Sequence, residues 1–371
     1  MIEKIPQENK PLQMLSRRHF VRLGLTALAV LGLGGCSAFL DLDEEEADDQ
    51  KEKSKDETEK DREEKVKAKK SDQEKDETTD KEKTKPEKEK GRAGMPLREL
   101  GKTGSMVSIL GLGGSFLVSA RDRPEDAEEL VHRALDLGIN YIDTAPSYGS
   151  SEENIGRVMG ERRKEVFLAS KTLDRTYDGT MRLFEQSLQR LQTDYLDLLQ
   201  IHGLHSENDL SQIMAEGGAL KALKDLKREG LIRFTGVTGH RDPAVMLEAI
   251  EKYDFDCVLL ALNPADRFYQ PLQEAILPRA LEKNMGIIAM KVAAYGRIFK
   301  DNGLNSMEKA LGYALSFPVS TALVGMSTLD ELTENARLAR EFEQLTPEEL
   351  QQLEELVEPY QDEINFFKKE W

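Results

Sequence analysis

Val166-Phe167-Leu168-Ala169-Ser170-Lys171 is an unbroken run of apolar and small residues that ends in a lysine. Residues 180–191 then have the spacing of an amphipathic helix, and Leu196-Asp197-Leu198-Leu199-Gln200-Ile201-His202 is a second mostly apolar run that ends in a histidine. Two such runs with a helix between them read as parallel strands joined by a crossover, since a strand covered on both faces shows no polar alternation. The pattern continues in both directions. Further runs fall at 107–111, 141–144, 233–238, 257–263, 286–291 and 321–325, eight in all. Helical stretches fall between them at 127–137, 220–227, 245–253, 272–283 and 307–315; in the first, Leu130, Ala134 and Leu137 share a face between Pro124 and Gly138, a start and a stop signal. Eight repeats in about 265 residues predict an α/β fold of the closed (β/α)8, or TIM-barrel, type over residues 93–371. An open doubly wound sheet is the poorer fit, because Gly111-Leu112-Gly113-Gly114 lacks the full G-x-G-x-x-G turn.

The chain ahead of this region has a different character. Residues 41–90 hold 22 acidic and 15 basic side chains, with Leu42 and Val66 as the only large apolar ones. So little apolar surface cannot offset the entropy of ordering the chain, so 41–92 is expected to be a disordered, charged linker. Ahead of it, Ser16-Arg17-Arg18-His19-Phe20-Val21 precedes the apolar run 23–33, and Leu33-Gly34-Gly35-Cys36 follows. Eleven apolar residues are too few for a membrane-spanning helix, which takes about 20, so 1–40 reads as a cleaved signal peptide. The Arg pair resembles the twin-arginine motif, which exports folded proteins, and the last four residues resemble a lipobox with Cys36 as the lipidated residue. The expected location is the periplasm or cell envelope, with the linker as a tether.

The net charge of −17 argues against nucleic-acid binding, which needs a basic surface. Cys36 and Cys257 are the only cysteines, which excludes a disulfide framework, a four-cysteine zinc site or an iron–sulfur cluster held by this chain alone.

In a barrel of this kind the active site is built at the C-terminal ends of the strands. Asp143 ends the second run, Tyr148 follows in its loop, Lys171 ends the third and His202 the fourth, so neighbouring strands bring them to one pocket. A tyrosine is a weak acid with a reference pKa of about 10, and a nearby ammonium such as Lys171 stabilises its phenolate. Asp143 would compensate the desolvation of that ammonium, and His202 would donate to a substrate oxygen. The set describes carbonyl reduction, in which a donor delivers hydride to carbon and Tyr148 the proton to oxygen.

Over residues 95–371 the chain resembles the aldo/keto reductase family. The resemblance rests on the hairpin-like Leu97-Arg98-Glu99-Leu100-Gly101-Lys102-Thr103-Gly104, on Leu110-Gly111-Leu112-Gly113-Gly114 as the first strand, on Asp143-Thr144-Ala145-Pro146-Ser147-Tyr148-Gly149, on Ser170-Lys171-Thr172 and on Gln200-Ile201-His202-Gly203. It implies Asp143, Tyr148, Lys171 and His202 as catalytic residues, NADP as cofactor with NAD as the alternative, and a small-molecule carbonyl substrate. Thr328-Leu329-Asp330-Glu331 has the form of a helix capping box, and a helix N-terminus suits a phosphate. The resemblance places Glu334 and Asn335 at the adenine end, and Gly113, Gly114, His240, Asn263, Met290, Lys291, Gly325 and Ser327 along the rest of the cofactor.

The departures lie at the nicotinamide. Gly239-His240 stands where many members carry Ser-Asn, Leu259 where they carry Gln, and Met290-Lys291 where a stacking Tyr is usual. The basic partner of a 2′-phosphate has no clear equivalent in 327–334, which leaves Arg337 and Arg340 as substitutes. Export supplies a rival reading, a non-catalytic nucleotide-sensing or partner-binding barrel, because nicotinamide cofactor is scarce outside the cytoplasm. Loop 203–218 and tail 366–371 are expected to shape the substrate pocket.

Overall fold

Two antiparallel strands, β1 (Leu97–Glu99) and β2 (Met106–Ser108), precede eight parallel ones: β3 (Leu110–Gly113), β4 (Tyr141–Asp143), β5 (Phe167–Thr172), β6 (Leu196–Ile201), β7 (Ile232–Gly239), β8 (Cys257–Ala261), β9 (Gly286–Met290) and β10 (Thr321–Val324). The eight close into a barrel in the order β10-β3-β4-β5-β6-β7-β8-β9, the expected (β/α)8 fold. The structure, a computed structural model, describes residues 89–117 and 123–369. The expected signal peptide, Cys36 and nearly all of the expected linker lie outside them. At the linker's near end, Glu89 O accepts from Leu97 N at 2.8 Å and Lys90 bridges to Pro96, so the folded part begins at least four residues ahead of the expected boundary at 93.

Ten helices wrap the described barrel: α1 (Pro124–Asp136), α2 (Ser151–Arg162), α3 (Tyr177–Leu191), α4 (Glu207–Met214), α5 (Ala219–Arg228), α6 (Pro243–Lys252), α7 (Leu272–Glu282), α8 (Met307–Ser316), α9 (Leu329–Arg340) and α10 (Pro347–Val357). Burial follows two shells. Leu100, Val107, Tyr141, Phe167, Ala169, Leu198, Cys257, Leu259, Ile288 and Leu323 fill the barrel, while a larger apolar layer lies between strands and helices. Leu100, on the turn of the β1–β2 hairpin, packs against Gly286 and Cys257 at the start of their strands, so the hairpin plugs the N-terminal end and leaves the C-terminal end for chemistry. Burial pushes the Cys257 thiol up, which keeps it an inert packing group.

Two sequence expectations are corrected, and one helix went unread. The run 107–111 is two strands, parted at Ile109, because the hairpin ends where the barrel begins. The segment 203–218, expected as a loop, contains α4, started by Ser206 Oγ accepting from Asp209 N at 3.1 Å and held by buried Leu210 and Ile213. Helix α2 gave only a short periodic signal, because Ile155, Val158 and Met159 are its only apolar residues in the core and its first turn buries polar ones. Glu152 in that turn is fully buried, accepting from Ser170 Oγ at 2.7 Å and from Arg190 Nε at 2.7 Å.

The C-terminal segment closes over the β8–α7 connection. Asn365 Nδ2 donates to Ala265 O at 2.7 Å, and the fully buried Lys368 ammonium donates to Asp266 Oδ1 at 2.6 Å, Tyr269 O at 2.6 Å and Gln270 O at 3.1 Å. A buried ion pair stabilises little over an apolar pair, but removing one member strands the other. Lys368→Met is therefore expected to cost about 3–5 kcal/mol in urea unfolding, and adding Asp266→Asn to recover a large part of that loss.

Candidate active site

Each strand end delivers one polar group to the open end of the barrel. Asp143 closes β4, and its register partner on β5 is Ala169, two residues before Lys171, so the Lys171 side chain reaches back over the end of β4. There Lys171 Nζ donates to Asp143 Oδ1 and, at 2.8 Å, to Thr144 O. Both side chains are almost fully buried. Nζ also lies 4.8 Å from the centre of the Tyr148 ring. Burial pulls the Lys171 ammonium down, but Asp143 and the Tyr148 hydroxyl outweigh it and leave the group above its ordinary range, hence charged.

Two supporting residues were not assigned a role from the sequence. Gln200, inward-facing on β6, donates from Nε2 to Asp143 Oδ2 at 2.9 Å, so both carboxylate oxygens are engaged. Arg175 donates to His202 O at 2.9 Å and to Gly203 O at 2.7 Å, which fixes the loop that carries His202. Gln200 was visible as a polar residue two positions before His202 on the same strand face. Arg175 left no signal, because two of its partners are backbone carbonyls and the third, Asp209 at 3.3 Å, lies 34 residues away.

His202 meets the Tyr148 ring edge-on, with centroids 5.8 Å apart. Burial first, then Lys171, His240, Arg175 and His205, hold its imidazole well below the ordinary histidine value, so it is neutral at pH 7 and can donate one N–H to an oxygen. His205 and His240 form a second edge-on pair at 5.0 Å, and His240 packs on Phe367 at 5.8 Å. Burial and Lys291 bring His240 down to about 3. No group of three metal-ligating side chains poised for an ion is found among the described residues.

The expected cofactor positions divide into three groups. Gly113 and Gly325 lie side by side on β3 and just after β10 as partly exposed backbone: a Cβ on Gly113 would sit 3.3 Å from Gly325 N, and one on Gly325 would strike the Phe116 ring. Beyond them Ser327 N and Oγ donate to a Glu331 carboxylate oxygen at 2.8 and 3.0 Å, the donor pair an anionic phosphate oxygen would use. This is half of the expected capping box: Thr328 Oγ1 accepts from Glu331 N, but the Glu331 carboxylate reaches one residue further back. Exposed Glu334 is tied to Arg337, and Asn335 is buried in the helix. In the second group, Met290 ends β9 and Lys291 follows it, both half-buried, with Lys291 beside His240. The third group supports from beneath. Gly114 is packed where a Cβ would meet Asp143 O and Ser151 Oγ, and Asn263 is fully buried, donating to Lys291 O at 3.1 Å and accepting from Ala265 N at 2.9 Å. Arg337 pairs with Glu334 and Glu341, and Arg340 donates to Leu137 O at 3.0 Å, so both guanidiniums are engaged away from Ser327. Partly exposed glycine backbone beside a helix start suits a dinucleotide.

The fold is a closed (β/α)8 barrel whose open end gathers Asp143, Tyr148, Lys171 and His202. Residues 109–306 match the model of the Aldo/keto reductase family. The chain is 29% identical over 308 residues to the uncharacterized oxidoreductase YqkF of Bacillus subtilis, spanning 70% of this chain and 96% of that one. It is 30% identical over 306 residues to L-galactose dehydrogenase of Arabidopsis thaliana, spanning 71% and 94%. The solved aldo-keto reductase AKR11C1 of Bacillus halodurans, in its holo form, superposes with a TM-score of 0.60 at 27% identity, over 71% of this chain and 96% of that one. This chain belongs to the aldo/keto reductase family and is an enzyme, an oxidoreductase acting on small molecules.

The buried histidines make a stability prediction. His202, His205 and His240 all have lowered values, so below about pH 6.5 the unfolded chain binds protons that the folded one refuses. Stability therefore falls as pH drops from 6.5 to 5, and His240→Gln is expected to reduce that fall by roughly 1.5 kcal/mol in denaturant titrations at the two pH values.

Proposed function

We propose that the protein reduces aldehyde or ketone carbonyls with NADPH, NADH being the alternative donor, and does so outside the cytoplasm on a charged tether. The observation that carries the chemistry is the Lys171 ammonium, buried between the Asp143 carboxylate and the Tyr148 ring beside a neutral His202. When bound, the nicotinamide supplies hydride to the carbonyl carbon. Tyr148 then gives its proton to the oxygen, and Lys171 stabilises the phenolate left behind. Asp143, held on its second oxygen by Gln200, keeps Lys171 charged inside the barrel. His202, neutral and edge-on to Tyr148, holds the carbonyl oxygen by an N–H, and its neutrality leaves the tyrosine as the proton source. Gly113, Gly325 and Ser327 would hold the dinucleotide's phosphates, Met290 and His240 the nicotinamide side, and Glu334 with Asn335 the adenine end.

The address reading rests on the order Arg17-Arg18-His19-Phe20, apolar run, Gly34-Gly35-Cys36. Export in the folded state lets the enzyme leave with its cofactor already bound.

NADPH oxidation against a panel of aldehydes and quinones tests the reaction. Tyr148→Phe is expected to lower kcat/KM by at least about 100-fold while NADPH still quenches protein fluorescence with the parent affinity. An unchanged rate would exclude Tyr148 as the acid, and tight binding without turnover in the parent would favour the sensing barrel. For the address, replacing Arg17 and Arg18 together by Lys is expected to retain the protein in the cytoplasm. Cys36→Ala is expected to move it from the membrane fraction to the soluble exported fraction.

A further inference from the structure

The loops that follow β6 and β7 run side by side at the open end of the barrel. Leu204 N donates to Thr238 O at 2.8 Å and Gly203 N to Thr238 Oγ1 at 3.4 Å. Leu204 O comes so near Gly239 that a Cβ there would lie 2.9 Å from it, so the bare glycine lets the two loops close up. The pairing sets His205 against His240, their rings 5.0 Å apart, and puts Arg241 beside both. Outward from the reacting hydroxyl the order is Tyr148, His202, the His205–His240 pair and then Arg241.

Arg241 is half-buried, and its Nε is enclosed without an acceptor. Every other half-buried arginine among the described residues reaches a carboxylate or a backbone carbonyl oxygen, as Arg175 does at His202 O and Gly203 O. The acids beside Arg241 and His205 are engaged elsewhere. Asp242 Oδ1 accepts from Ala244 N and Val245 N at the start of α6, and Asp209 accepts from Arg175 and from His205 N. His205 Nδ1 is likewise enclosed and unpartnered. A guanidinium presents five N–H donors in a rigid fork, and a desolvated donor left unused costs stability without any gain in the fold. The polar atoms that the fold leaves unanswered on this side of the pocket therefore point to a ligand.

We propose that Arg241, with His205 beside it, receives a carboxylate of the carbonyl substrate, so that the enzyme acts on aldehydes or ketones carrying an acid group several bonds from the carbonyl. This rests on the reductase reading above. The carbonyl oxygen is placed at Tyr148 and His202, and the His205–His240 pair stands between that point and the guanidinium, which sets the spacing of the two groups. One planar cation matches one planar monoanion through two parallel N–H donors, a fit that an ammonium cannot give. Burial first, then the Arg241 charge, hold the His205 imidazole below its ordinary value, so it adds an N–H and no charge. A dianionic phosphate at the same place would keep one charge unanswered by the pair.

The experiment follows oxidation of NADPH or NADH by the full chain with adipate semialdehyde, its methyl ester and glyoxylate, in the parent, Arg241→Gln and Arg241→Lys. The parent is expected to favour the long acid over its ester by about 30-fold in kcat/KM, carried by KM, because a remote ion pair holds substrate and transition state alike. Glyoxylate, whose acid adjoins the carbonyl, is expected to be the poorer acid by a similar factor. Arg241→Gln is expected to bring the acid-to-ester ratio to about one, and Arg241→Lys to restore part of it. A parent ratio near one, a preference for glyoxylate, or a ratio that survives in Arg241→Gln overturns the inference and leaves the reductase reading standing. A parent that turns over none of these compounds and no member of the aldehyde panel overturns both.

Discussion

The buried Lys171 ammonium is the constraint on which the site depends. A charge of that kind inside a barrel is tolerable only if its hydrogen bonds and counter-charge are supplied in place, and Asp143 Oδ1 and Thr144 O supply them. Asp143 carries the same requirement, which Gln200 meets on the second oxygen. The register of β4, β5 and β6 brings these groups together. The site is therefore a property of the closed sheet: a slip of one residue on β5 would turn Lys171 to the outer face and leave Asp143 buried alone.

Charge is distributed unevenly over the molecule. The chain carries −17 in all, yet its pocket gathers Lys171, Lys291, Arg175 and Arg241 around three histidines. Because these cations crowd one another, His202 and His240 remain neutral, while Lys171, with its carboxylate, stays charged. One environment thus sets two protonation behaviours.

Much of this was legible in the order of residues. The eight barrel strands and six of the twelve described α-helices followed from apolar runs and 3.6-residue spacing, and the polar residues at strand ends marked the pocket. What escaped was wherever buried polar groups replaced apolar ones. Helix α2 turns Ser151, Glu152 and Asn154 inward, where Thr144, Ser170, Arg190 and Leu117 O satisfy them, which confines its apolar stripe to Ile155, Val158 and Met159. Helix α4 is too short, with two buried apolar residues, to stand out from a loop. Arg175 and Asn263 act on backbone carbonyls, and carbonyls are anonymous in a sequence.

The sequence by itself determined the barrel and the four chemical groups at its open end, because periodicity and strand-end position are local properties of the chain. Only the tertiary structure decided what those groups are worth. That His202 is neutral and that Arg340 is engaged with Leu137 O depend on groups brought together from distant segments, and that the Glu331 carboxylate accepts from Ser327 rather than from Thr328 depends on the turn that starts the helix. A pKa and a hydrogen bond belong to a neighbourhood, and neighbourhoods exist only once the sheet has closed.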